Sequence, residues 1–80
     1  MYKARVYLTF PEKLIKEPVV YELGQKFKVV TNVRTASVNA GVGLVAIEID
    51  GERSEVDKAL AYLREQGVSV KPIDQDVIYG

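Results

Sequence analysis

Asn32 and Arg34 stand two residues apart in a run rich in Val and Thr. On a strand, side chains two apart project from one face, so an amide and a guanidinium could grip a carboxylate together, Arg34 through its bidentate fork. The same pair also reads as a polar guard that keeps an exposed edge strand from aggregating. Glu48, Asp50 and Glu52 alternate in the same way, and carboxylates sharing a strand face suit a hard divalent cation. The competing reading makes Asp50-Gly51 a turn and Glu52 a solvated loop residue. Thr9-Phe10-Pro11-Glu12-Lys13 lacks the glycines and the arginine that a phosphate-cradling acylphosphatase loop would need. Tyr2, Tyr7, Tyr21, Tyr62 and Tyr79 read as half-buried packing residues with wet hydroxyls rather than as a cofactor box.

Composition removes most other chemistry. The 80 residues contain no Cys and no His, which excludes a thiol nucleophile, an intramolecular disulfide, a self-held iron–sulfur cluster, a His-based triad and a Cys/His zinc site. No cofactor and no catalytic residue is therefore expected, and the chain reads as not an enzyme. Eleven basic and eleven acidic residues cancel, and 48% of residues are apolar, the balance of one small globular domain. A chain of this size buries about 60% of its unfolded surface, too little to enclose a large cavity. No run approaches the roughly 20 apolar residues of a membrane span. The start Met1-Tyr2-Lys3-Ala4-Arg5 lacks the apolar stretch of a signal peptide, so the expected location is cytoplasmic, without membrane insertion. Residues 1–40 hold seven basic and three acidic groups, and residues 41–80 four basic and eight acidic. That asymmetry reads either as a dipolar surface favouring association or as charges that the fold mixes in space.

The elements that would position these residues follow from periodicity. Lys3 to Phe10 places Ala4, Val6, Leu8 and Phe10 on one face, a first strand with one buried side. Pro11 stops it, and Glu17-Pro18 opens a helix carrying Val19, Val20, Leu23 and Phe27 at spacings of three and four. Lys28 to Val38 and Leu44 to Asp50 read as two strands of a hairpin around Asn39-Ala40-Gly41-Val42-Gly43. The first of them breaks alternation, with Val29 and Val33 on one face and Val30, Ala36 and Val38 on the other, which signals a bulge or an edge position. Ser54 is expected to cap a second helix whose stripe is Val56, Ala59, Leu60 and Leu63, ended near Gln66 by Gly67. Val68 to Ile73 forms a fourth strand.

Strand, helix, strand, strand, helix, strand is the α+β ferredoxin-like arrangement, a four-stranded antiparallel sheet of order 4-1-3-2 with two helices on one face. The domain is expected over residues 1–73, with a polar tail over 74–80. The helix-free face should carry Arg5, Tyr7, Leu44, Ala46 and Glu48 and is where function is sought. An RNA-binding sheet would need aromatic platforms on both central strands, and the third strand has none, so no nucleic acid is expected.

Read in order, Val6-Tyr7-Leu8-Thr9-Phe10-Pro11, Glu17-Pro18-Val19-Val20, Asn32-Val33-Arg34, Gly43-Leu44, Ile47-Glu48-Ile49-Asp50-Gly51 and the run from Ala59 to Val70 resemble the NIL domain over nearly the whole chain. That family has the same ferredoxin-like fold. It occurs at the C-terminus of methionine-import ABC transporter ATPases, where it pairs with itself, binds methionine and inhibits transport. It also occurs ahead of ferredoxin modules, a setting that the tail Asp74-Gln75-Asp76-Val77-Ile78-Tyr79 resembles. The family is named for Asn-Ile-Leu. Here Asn32 is identical, Val33 is conservative and Arg34 replaces an apolar residue.

The resemblance implies a non-catalytic regulatory or sensor domain. It would act as a homodimer that binds a small metabolite, an amino acid such as methionine, through Asn32, Val33 and Arg34. The alternative is an interaction module that docks through an exposed edge strand onto a ferredoxin, a transporter or a sulfur-metabolism enzyme. With the sequence ending at Gly80, the domain is expected to act alone or beside a separate partner.

Overall fold

Ala4, Val6, Leu8 and Phe10 all point one way from β1 (Tyr2–Phe10) and are buried, the half-buried strand that their alternation predicts. The computed structural model describes residues 2–73, and the tail over 74–80 lies outside the described residues. After β1 come α1 (Glu12–Ile15), α2 (Val19–Lys26), β2 (Val29–Asn39), β3 (Val42–Gly51), α3 (Arg53–Glu65) and β4 (Ser69–Pro72). The strands pair antiparallel in the order β2-β3-β1-β4, which is 4-1-3-2 read from the other side. The architecture is the expected ferredoxin-like one, with β2 and β4 at the edges.

Among the described residues three helices stand where two were expected. Pro11 ends β1 but also occupies the N-cap of α1, a single turn in which Leu14 N–H donates to the Pro11 carbonyl. Four residues are too few to show a hydrophobic period. Leu14 and Ile15 pack against the core from this turn. α2 has no side-chain cap and is held by Val19 and Leu23, buried one turn apart on the sheet.

The main core packs Ile47 and Ile49 of β3 with Leu8, and brings Val56, Ala59 and Leu63 of α3 and Leu23 of α2 onto them. Phe27 meets Tyr62 edge-on at 5.6 Å between ring centroids, which seals the flank between α2 and α3. Tyr62 is half-buried as expected, whereas Tyr2, Tyr7 and Tyr21 are exposed and Tyr79 lies outside the described residues.

Several boundaries differ from the sequence expectation for identifiable reasons. Asp50-Gly51 is not a turn: β3 runs through Gly51, which pairs with Tyr2 on one side and Val29 on the other. A β-carbon there would lie 2.8 Å from the Lys28 carbonyl oxygen, so glycine permits this close approach. Glu52, not Ser54, is the N-cap of α3, and its side chain makes no capping bond. Glu55 ties the first turn instead, accepting a 2.9 Å bond from the Lys28 backbone N–H. The β2–β3 connection is a two-residue turn of Ala40 (φ 53°) and Gly41 (φ 78°), the paired positive φ of a type I′ hairpin. β4 is shorter than Val68 to Ile73. Gly67 (φ 97°) ends α3 as expected, with Gly67 N–H bonded to the Arg64 carbonyl and Val68 N–H to that of Leu63, a Schellman closure.

Candidate functional site

The helix-free face is organised in rows across the strands. In one row, Asn32 of β2, Glu48 of β3 and Arg5 of β1 are direct partners. In the next, Thr35, Ala46, Tyr7 and Lys71 line up from β2 to β4. Between these rows β2 carries a bulge, its register passing from Val33 opposite Ile47 to Thr35 opposite Ala46. The extra residue is Arg34.

The bulge explains the broken alternation of β2. Before it, Val29, Thr31 and Val33 share the helix side with Gly51, Ile49 and Ile47. After it, Ala36 and Val38 take that side, opposite Val45 and Gly43. Thr35 and Ser37 are thereby sent to the open face.

Glu48 is the centre of the open face. It is only 7% exposed and is held by three cations. Arg34 Nη1 donates to its Oε2 at 2.9 Å, Arg5 Nε lies 3.2 Å from the same oxygen, and Lys3 Nζ lies 3.6 Å from Oε1. Burial alone would raise the Glu48 pKa. Lys3, the Arg34 hydrogen bond and the charges of Arg34 and Arg5 outweigh it and hold the carboxyl below its ordinary value. Charge-assisted bonds to a buried carboxylate orient the cations that make them, and here Glu48 fixes the direction of Arg34, whose side chain stays largely exposed.

Beside this cluster lies an open depression of about 400 Å³ lined by Arg5, Tyr7, Arg34, Thr35, Ala46, Ile47, Glu48 and Ile73. A second of about 410 Å³ adjoins it through Tyr7, Thr35 and Ala46 and reaches Leu44 and Lys71. On the opposite side of the sheet, an apolar groove of about 390 Å³ runs between the α1–α2 segment and the hairpin, with Phe10, Ile15, Val19, Val38 and Val45 among its walls. Sequence reasoning missed this groove, because its floor depends on the bulge and on the unforeseen α1.

The predicted site residues are thus divided. Asn32 and Arg34 do share the open face, beside Glu48 and Arg5. Val33 points to the helix side, opposite Ile47. Glu48 and Asp50 share the open face, while Glu52 sits at the start of α3. Among the described residues no three potential metal ligands come together, and no helix is long and apolar enough to cross a membrane.

The fold and its helix-free, cation-bearing sheet face define a small α+β domain of the ferredoxin-like class. Residues 4–72 match the NIL domain family, and the chain belongs to that family. The uncharacterized protein ssr2439 of Synechocystis is 32% identical over 73 residues, covering 89% of this chain and 74% of that protein. The methionine import ATP-binding protein MetN of Geobacillus kaustophilus is 30% identical over 70 residues, and MetN 1 of Bacillus cereus 31%. Each of those alignments covers 82% of this chain but 20% of the relative, so the chain spans about a fifth of their length. The C-terminal domain of an ABC transporter ATP-binding protein from Enterococcus faecalis has the same fold. Its TM-score is 0.78 at 22% identity, over 90% of this chain and 84% of that one.

Proposed function

We propose that this chain is a non-catalytic regulatory domain that binds a small metabolite bearing a carboxylate, an amino acid such as methionine, on the open face beside β2. The observation that carries the reading is Arg34, a half-exposed guanidinium aimed by buried Glu48 at the edge of a depression. Asn32 flanks it on the same face, and Val33 supports the strand from behind. The names of the two methionine import relatives supply the ligand class. A cytoplasmic location and an ABC transporter partner belong to the same reading, as does a domain of residues 1–73 followed by a tail.

A homodimer fits the edge strand. β2 is eleven residues long, has no partner strand on its outer side among the described residues, and exposes Val30 and Val38 by 66% and 64%. Unpaired strand edges of this kind add strands from other chains. The same edge supports the second reading, docking onto a ferredoxin, a transporter or a sulfur-metabolism partner.

A thermal-shift screen of the purified chain against the amino acids and S-adenosylmethionine tests the proposal. A ligand at about 100-fold its Kd stabilises the folded state by about 2.7 kcal/mol, which moves Tm by on the order of 10 °C in a domain of this size. Stabilisation by methionine supports a sensor of the transporter type. No shift with any amino acid favours the docking module.

A further inference from the structure

Charge on the open face is unbalanced. Lys3, Arg5, Arg34 and Lys71 project there from β1, β2 and β4, against Glu48 and Asp50 from β3. Glu48 is shared by three of the cations. Lys71 has no ion-pair partner among the described residues. Arg34 gives one of its five donors to Glu48 and keeps its side chain 62% exposed. The two depressions meet over Tyr7, Thr35 and Ala46, with Arg34 at the far side of one and Lys71 at the far side of the other. Between the two cations the surface offers a tyrosine ring, a methyl group and a hydroxyl, which suits a short organic chain more than a bare inorganic ion.

We infer that the open face selects ligands of net negative charge over zwitterions, one anionic group resting on the Arg34 guanidinium and the remainder lying over Tyr7 and Ala46 toward Lys71. The inference rests on the metabolite-binding reading and adds to it a rank order, anionic carboxylates ahead of zwitterionic ones. Glu48 serves as a positioning residue: it consumes part of the cationic charge and directs Arg34 toward the depression. A zwitterion brings an ammonium group that this surface repels, whereas an anion brings only charge that it attracts.

Calorimetric titration of the 80-residue chain tests this with three probes that share one side chain and differ in charge: N-acetylmethionine, methionine and methionine methyl ester. The expected order of affinity is the N-acetyl acid, then the zwitterion, then the ester, with about tenfold between successive probes at low salt. In Arg34→Gln and Lys71→Gln, both exposed positions, the preference shrinks while circular dichroism stays unchanged. Methionine binding as tightly as its N-acetyl derivative would overturn the charge selection and leave the metabolite reading standing. No heat from any probe, nor from succinate, would overturn both.

Discussion

Arg34 Nη1 bonds Glu48 Oε2 at 2.9 Å across the hairpin, from the one residue of β2 that has no direct partner on β3. The bulge and the ion pair are therefore one device. The inserted residue lets a long side chain turn inward along the face to reach a carboxylate on the neighbouring strand. That carboxylate is in turn buried by the cations it collects. Bulges re-aim side chains in this way while also bending an edge strand out of the flat geometry that promotes aggregation.

Acid should loosen this cluster. Glu48 and Glu55 both have carboxyls held below the ordinary value of 4.5. For Glu55 the Lys28 N–H bond is the leading cause, followed by burial, which opposes it, and by Lys58. A carboxyl whose folded pKa is depressed contributes stability that is fully present above its unfolded value and is lost as pH falls through the folded one. Urea midpoints should stay level from neutral pH to about pH 5 and then drop. Glu48→Gln and Glu55→Gln should each flatten part of that drop. A midpoint that does not respond to either substitution would remove the two carboxylates as the cause.

Two glycines should respond with opposite sign to the same change. Gly24 lies inside α2 with nothing within 4 Å of an added β-carbon, so Gly24→Ala should stabilise by about 0.5–1 kcal/mol through the unfolded chain's lost freedom. Gly51→Ala places its β-carbon 2.8 Å from a backbone oxygen and 3.2 Å from Val29. Something must shift, at a cost of about 1–3 kcal/mol. Denaturant titration of the pair reads both signs against one reference.

The α3 stripe sets the scale of core energetics. Leu63 has no exposed surface and supplies the carbonyl that closes the Schellman turn. Leu63→Ala should therefore cost about 2–5 kcal/mol, enough to endanger a domain this small. Ala61, on the exposed side of the same helix, is the control: Ala61→Ser should change the midpoint little.

Much of this was legible because strand and helix periods are strong signals over eight or more residues. Ala4 to Phe10 and Val56 to Leu63 each reveal their buried face, and Gly67 reveals where α3 stops. The disturbed alternation of β2 likewise pointed to the bulge. What stayed hidden depends on pairing across the sheet. Glu48 lies fourteen residues beyond Arg34 and more than forty beyond Lys3 and Arg5, and nothing local marks it as their common partner. The charge asymmetry of the two halves has the same origin. Acidic β3 lies between basic β1 and basic β2, so the fold mixes the charges in space. α1 and the groove behind the hairpin were hidden too, since a single helical turn after Pro11 has no period to read.

Arg34 separates the ligand reading from the edge-guard reading. If it grips a carboxylate, Arg34→Leu should weaken binding of an amino-acid ligand by about tenfold or more, the worth of a charge-assisted hydrogen bond. Arg34→Lys keeps the charge but not the planar fork, so its affinity should fall between the two. Glu48 keeps Lys3 and Arg5 in either variant, and the fold should persist by circular dichroism. If Arg34 only protects an edge, Arg34→Lys should match the parent in every respect and Arg34→Leu should differ only in self-association, seen as a larger sedimentation coefficient at unchanged affinity. The two variants, measured by calorimetry and sedimentation on the same preparations, thus place Arg34 in the binding site or at the strand edge.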